Sequence, residues 1–342
     1  MPPDLWLLYA LMLKSRLFEE AIAQLWHEGL ISGEMHLGTG EEAIVAGVVS
    51  QIQEGDGMAL DHRGTSALLM RGVKPVLILR ELLGHSDGLC GGMGGHMHLF
   101  SREHLATSSG IVGSAGPSAA GFALSAQVLH PGAIAIAFFG EGAMNQGMLM
   151  ESMNLASVWN LPVLFICKDD NWSITTPSVK MTGGILKERA RGLGNPAVEV
   201  DGRDVSEVWE AAHSAIEHAR NGHGPTFLHA HCVHMEGHFL GFQLIRAVRE
   251  PLREMSKIAG PLTRSFLQPR GAAVRERLAG LNTILASMAS TARDPRGDQA
   301  NDPVQRLRMI LQSDAARLQD LEERAEKEII EELASALMEV PA

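Results

Sequence analysis

One stretch limits what this chain can become. Residues 133–177 read as a single strand–turn–helix–strand unit. Ala133–Phe139 is a short unbroken apolar run, the pattern of a strand buried on both faces. Gly140-Glu141-Gly142 follows, a turn whose backbone can approach a ligand closely. From Gln146 to Trp159 the positions Met150, Met153, Asn154 and Val158 recur at helical spacing and are expected to face inward. Leu161–Cys167 is a second buried strand, and it ends in Lys168-Asp169-Asp170. Ligands of open α/β sheets sit beyond the carboxyl ends of the parallel strands. Glu141 and Asp170 therefore leave neighbouring strand ends together. Hard oxygen ligands on rigid strand ends suit magnesium or calcium, above all an ion that bridges to a diphosphate.

The rest of the chain narrows the class. Its 342 residues allow one large α/β domain or two modest ones, with ample core. A net charge of −11 argues against nucleic acid as a partner. Cys90, Cys167 and Cys232 are far apart and form no CxxC, which speaks against a disulfide framework or a structural zinc site and for a reducing, cytoplasmic setting. Leu5–Leu13 is apolar but short, and Lys14 and Arg16 follow it; it reads as a helix face, neither a signal peptide nor a membrane span.

In chain order, residues 5–29 form an amphipathic helix closed by Gly29. A second helix opens at His36 and runs to Ile52, with Thr39 and Glu42 as a capping box. Met58–Leu60 is a short strand, followed by Asp61-His62-Arg63-Gly64. An Arg at a strand end can fork onto phosphate oxygens; a surface ion pair with Asp61 is the plainer alternative. Pro75–Gly84 is helical. Gly88–His98 is too rich in glycine for regular structure and reads most simply as a flexible surface loop, its His96 and His98 making polar contacts. Ser109–Pro117 is a second glycine-rich turn before the small-residue helix Ala119–Val128. Neither GxGxxG after a strand nor GxxxxGK[ST] occurs. Asp204 caps the helix Val205–Asn221, and Thr226–Val233 is a strand on which His229 and His231 share one face. The loop carrying His234 and His238 leaves at the same edge as Glu141 and Asp170 if the strands are parallel. Residues 243–300 change character, with helix-like pieces Leu244–Ala259 and Ala272–Thr291. Asp302-Pro303 then caps a helical tail, Val304–Met338, whose stripe includes Leu307, Ile310, Leu311, Leu318, Ile329 and Leu337. Three regions are expected: 1–242 as the α/β domain, 243–301 as a helical insertion and 302–342 as a C-terminal helix region.

Gly140-Glu141-Gly142 followed by Asp169-Asp170 resembles the thiamin diphosphate fingerprint, usually GDG and then one or two Asn. With its flanks, with His62-Arg63-Gly64, Gly92–Phe100, Gly110-Ile-Val-Gly, Val200-Asp-Gly-Arg-Asp-Val and Glu236-Gly-His-Phe, the chain resembles the alpha subunit of the thiamin diphosphate-dependent dehydrogenase component of 2-oxo acid dehydrogenase complexes, in its pyruvate and acetoin branches. The resemblance covers roughly residues 5–242. It implies a mostly parallel sheet flanked by helices, the diphosphate-binding half of that fold. It implies Glu141, Asp170 and the Trp172 carbonyl as metal ligands for Mg2+ or Ca2+. It further implies cofactor contacts from His62, Arg63, Gly110, Val112, Gly140, Gly142, Ala143 and His238, with His238 as the catalytic proton-transfer group. A 2-oxo acid or acyloin substrate, a beta subunit completing a heterotetramer of two alpha and two beta chains, and a lipoyl acyltransferase are implied as partners, with no nucleic acid and no membrane. The departures are Glu141 for the usual Asp, Asp170 for the usual Asn, Thr65 for His and Phe242 for Asp. They keep open a repurposed alpha-subunit homologue, and His229, His231 and Glu141 keep open a metal-dependent hydrolase. Small apolar walls at Phe239 and Leu240 hint at a short acyl chain.

Overall fold

The computed structural model describes residues 2–174, 176–238, 240, 273, 275, 276, 278–280, 282 and 300–337. Most of the expected insertion 243–301, including Leu244–Ala259 and most of Ala272–Thr291, lies outside the described residues, as do Phe239 and Phe242.

Nine strands are described: β1 Gly57–Leu60, β2 Phe100–Ser101, β3 Ala106–Ser108, β4 Ala135–Gly140, β5 Val163–Asp169, β6 Trp172–Ser173, β7 Thr176–Pro177, β8 Ala197–Asp201 and β9 Thr226–His231. Seven form one sheet in the order β2-β3-β1-β4-β5-β9-β8. Only the β2–β3 pair is antiparallel. The order reverses beside β4, so β1, β4, β5 and β9 bring their carboxyl ends to one edge.

The centre of the sheet is buried on both faces because β1, β4 and the body of β5 are unbroken apolar runs. Ile136, Phe138, Leu164, Ile166 and Leu228 pack under α1 Leu5–Glu28, α2 Glu42–Val49, α4 Pro75–Leu82 and α8 Val205–Arg220. Ala135, Ala137, Phe139, Phe165 and Phe227 pack under α5 Ala115–Leu129, α6 Gly147–Val158 and α7 Leu186–Gly192. A short helix, α3 Thr65–Arg71, follows β1 directly. The approach of α5 is close: a Cβ on Gly57 would stand 2.7 Å from Phe122, so this strand position demands glycine.

Local signals decide the helix ends. Asp4 caps α1 through the N–H groups of Trp6 and Leu7, Gly29 ends it at φ 85°, and Asp204 caps α8. Asp302 caps α9 Pro303–Leu311, which a short 3-10 turn joins to α10 Ala315–Leu337. These last helices return to the domain. Leu307, Leu311, Leu318 and Ile329 are buried against α1 and its neighbours, and Tyr9 donates to Glu322 at 2.7 Å. Arg16 is buried between Glu42 (2.6 Å) and Asp302 (2.8 Å). At the other end, Met35 and Leu240 form an isolated antiparallel bridge.

Four local expectations fail. The second helix begins at Glu42, and Thr39 caps nothing; instead the Gly40 N–H is taken by Glu42 itself. α6 turns Leu149, Ser152, Met153 and Ala156 inward, while Asn154 and Val158 are exposed, because small side chains fill the inward face beside Met153. The glycine-rich loop 88–98 is anchored: the Glu81 carboxylate accepts from the N–H groups of Cys90, Gly92 and Gly94 at 2.6–2.9 Å. In the C-terminal tail Ile310 leaves the expected stripe and stays exposed, though the two helices pack on the domain as a hairpin should.

Candidate functional site

Four strands deliver the site. β1 hands over Asp61, His62 and Arg63; β4 hands over Glu141; β5 hands over Lys168, Asp169 and Asp170; the chain after β9 brings His234 and His238. β4 and β5 pair in register through Gly140 and Lys168, which fixes Glu141 and Asp170 on adjacent strand ends.

Glu141 opens a 3-10 turn, Glu141–Asn145, and is 3% exposed. Its Oε1 accepts from the hydroxyls of Ser178 (2.6 Å) and Ser173 (3.0 Å). Burial and the nearby Asp170 carboxylate push its carboxyl up to about 7. Asp170 is equally buried. Its Oδ1 accepts from the Trp172 N–H, and its Oδ2 lies 2.9 Å from His234 Nδ1. Trp172 starts the β6–β7 hairpin after a left-handed Asn171 (φ 62°), so the chain doubles back over the two carboxylates. A Cβ on Gly142 would meet Ser173 Oγ at 2.6 Å and displace the hydroxyl that bonds Glu141, and Ala143 is buried beside it.

Next to this pair lies a charged network. Lys168 Nζ bonds Glu41 (2.6 Å) and Asp61 (3.0 Å), all of it nearly closed to solvent. His234 Nε2 is 2.8 Å from the other Glu41 oxygen, Oε1. Burial alone would raise the Glu41 carboxyl, but Lys168, His234 and Arg63 hold it below the ordinary carboxylate range. Burial and Arg63 push His234 down, yet Asp170 and Glu41 outweigh them and raise it to about 9, so it is an imidazolium at neutral pH. Arg63 is buried, not paired with Asp61 at the surface. Its Nη1 donates to the Leu37 carbonyl and its Nη2 to the His238 carbonyl at 2.5 Å, and Nε lies 3.8 Å from Glu41.

A histidine cluster faces Arg63. The His36 ring lies 4.4 Å from His62, 5.3 Å from His96 and 5.6 Å from His238, centroid to centroid. Burial and Arg63 lower all four; His62 and His96 fall to about 4. They are neutral at pH 7 in a positive field, the condition of a pocket built for an anion. Gly110 and Val112 lie in the turn before α5. A Cβ on Gly110 would press on Met97 Sδ at 2.9 Å, while Ile111 and Val112 are 60% and 50% exposed.

The pattern of the Dehydrogenase E1 component family matches residues 9–242. The chain belongs to the dehydrogenase E1 component family. Among its E1 relatives, the alpha subunit of acetoin:2,6-dichlorophenolindophenol oxidoreductase from Cupriavidus necator is 39% identical over 71% of this chain and 74% of its own. The Bacillus subtilis protein of the same name is 37% identical over 69% and 72%. The pyruvate dehydrogenase E1 component subunit alpha of Zymomonas mobilis is 36% identical over 74% and 73%. A solved transketolase from Campylobacter jejuni aligns with a TM-score of 0.49 at 17% identity, over 68% of this chain and 38% of that one.

In this E1 chain every site residue expected from sequence lies at the carboxyl edge or in the turns above it. Four participants were not expected: Glu41, Lys168, His234 and His36. Lys168 carried a signal, a lysine ending an apolar strand, where only a buried counter-charge explains it. Glu41 and His36 stood inside what read as a helix start.

Proposed function

We propose that this chain is the alpha subunit of a thiamin diphosphate-dependent dehydrogenase that acts on a pyruvate-like 2-oxo acid, or on acetoin, and delivers the acyl unit to a lipoyl acceptor. The observation that carries the reading is Glu141. It is a buried carboxyl held by the Ser173 and Ser178 hydroxyls, beside a second carboxylate, at the sheet edge that also carries Arg63 and the histidine cluster. A divalent cation at Glu141 and Asp170 supplies the missing positive charge, and an anionic diphosphate fits the field of Arg63. Family membership implies thiamin diphosphate, and the donor set fits it.

Glu141, Asp170 and the Trp172 carbonyl would hold the ion, magnesium or calcium. Arg63, His62 and His238 would hold the diphosphate, with Gly140, Gly142 and Ala143 leaving room at the strand end. Gly110 and Val112 would meet the aminopyrimidine. Bound thiamin diphosphate supplies the electron sink that cleavage beside a carbonyl requires. The chain's own residues orient and exclude water. His238, neutral because burial and Arg63 depress it, can take up or return a proton at a ring nitrogen. The ionised Lys168–Glu41–His234 chain fixes Asp170 from behind.

The relatives' alpha-subunit names imply a beta-subunit partner. We place it in a heterotetramer of two alpha and two beta chains, served by a lipoyl acyltransferase in the cytoplasm. Leu124, Val128 and Leu129 of α5 with Val158 and Trp159 at the end of α6 leave exposed apolar surface for a subunit contact. No helix among the described residues is long and apolar enough to cross a membrane.

Calorimetry with thiamin diphosphate and Mg2+ or Ca2+, followed by turnover of pyruvate and acetoin with and without an added beta subunit, tests the proposal. Divalent-dependent binding, and turnover only with the second chain, is expected. No cofactor binding with either ion would sink the reading. A solitary chain that turns over its substrate would sink the two-subunit part.

A further inference from the structure

Three groups of side chains among the described residues bring metal-ligating atoms within 4.8 Å of one another, and the charge around each separates them. His36, His62 and His238 face Arg63, which repels a cation. Glu41, Cys232 and His234 are saturated by Lys168 and Arg63. The third group, Asp169, His229 and His231, lies among carboxylates.

We propose that Asp169, His229 and His231 form a second metal site, for zinc or a similar borderline transition ion, at the carboxyl edge of β5, β9 and β8. Strand register builds it. Asp169 is opposite His231, and Glu199 of β8 is opposite His229, while alternation points Asp169 to the other face of the sheet from Lys168. Asp169 Oδ2 lies 2.7 Å from His229 Nε2, and His231 Nε2 lies 2.7 Å from Glu199 Oε1. The two imidazoles are 4.5 Å apart, centroid to centroid. Tetrahedral zinc with bonds of about 2.0–2.2 Å holds its ligand atoms roughly 3.3 Å apart. The three ligand atoms already lie within 4.8 Å of one another, so the Asp169–His229 contact would open slightly and His231 would draw in.

Two further observations point to an ion. His229 is 6% exposed and Asp169 5%, so a buried imidazole and a buried carboxylate converge on one point, with Nε2 the ring nitrogen turned to it. The burial is graded: Asp169 and His229 are closed, whereas the side chains of His231 and Glu199 are 38% and 37% exposed, which leaves an entry path and a fourth position for Glu199 or water. Lys187 holds the other Glu199 oxygen, Oε2, so Oε1 is the one turned to the site. Two imidazoles and a carboxylate select zinc over magnesium, in contrast to the all-oxygen pair Glu141 and Asp170. The ion would pin Asp169 one residue before Asp170, and it stands independently of the thiamin diphosphate reading.

The test uses the chelator-treated full-length chain without thiamin diphosphate, titrated with Co2+ and then Zn2+. One equivalent of Co2+ should give the visible absorption of imidazole-bound cobalt, and Zn2+ should displace it. His231→Gln, at the open rim, should weaken binding at least about tenfold. Glu141→Gln and His62→Phe should leave the absorption intact. X-ray absorption of the one-equivalent zinc complex should show two imidazoles in its shell. The proposal is overturned by any of these: no absorption in the wild type, full retention in His231→Gln, loss in Glu141→Gln or His62→Phe, or an all-oxygen zinc shell.

Discussion

Glu41 and Glu141 lie at the same edge of the sheet and are 2% and 3% exposed, yet they stand at opposite ends of the carboxylate range. Glu41 touches Lys168 and His234 and is held low. Glu141 touches two serine hydroxyls and is pushed up to about 7. Glu19 of α1 behaves like Glu141: it is buried, accepts from the hydroxyls of Thr65 and Ser66, and is raised to about 7 by burial. Burial is common to all three, so the sign of the partner decides the protonation state. Lys168, Arg63 and His234 offset Glu41, Asp61 and Asp170, and that network is complete without a ligand. Glu141 is not, and a cation completes it.

The comparison breaks most visibly at Lys168. Lys168→Met leaves Glu41 and Asp61 buried without their cation and should destabilise the chain by about 3–5 kcal/mol in urea unfolding; a loss below about 1 kcal/mol would show that the network is not what holds this edge. Glu19→Gln comes next. The native carboxyl is raised, so its stabilising contribution is complete below its unfolded value of 4.5 and is lost as pH rises through about 7. The variant should lose less stability than the wild type over that window, Glu141 still contributing its share, and gain on the order of 3 kcal/mol over the wild type at pH 8. Equal losses of stability between pH 5 and 8 in the two proteins would contradict this. Third, Glu141→Gln should weaken Mg2+-dependent thiamin diphosphate binding by roughly 10–100-fold. In the wild type that affinity should climb between pH 6 and 7 as the carboxyl loses its proton, and calorimetry at both pH values reads the difference. The smallest effect is expected for Asp170→Asn, which should shift preference from Ca2+ toward Mg2+ by removing one charge from the shell. An unchanged affinity ratio would count against a direct ligand role.

What could be read in advance followed from chain-local physics. Ala135–Gly140 and Val163–Asp169 are strands because their apolar runs admit no other placement, and their ends put Glu141 and Asp170 side by side. The inward face of α6 was misjudged because small residues such as Ser152 and Ala156 pack as well as methionine, and hydrophobicity does not mark them. The Glu41–Lys168–His234 network stayed hidden for another reason. Its members come from the start of α2, the end of β5 and the turn after β9, and only the parallel order of the sheet brings them together. The glycine-rich loop looked loose since its anchor, Glu81, belongs to a preceding helix.

The chain also fastens both ends of the stretch it does not share with the sheet. Leu240 bridges to Met35, and Asp302 is clamped by Arg16 while capping α9. The two junctions are set by these contacts. Closing a chain segment between fixed points grows only logarithmically with its length, about 0.6 kcal/mol per doubling. A change of length between Leu240 and Asp302 therefore adds little closure cost to the two pinned junctions, so the chain carries a built-in slack where it leaves the sheet and returns to it.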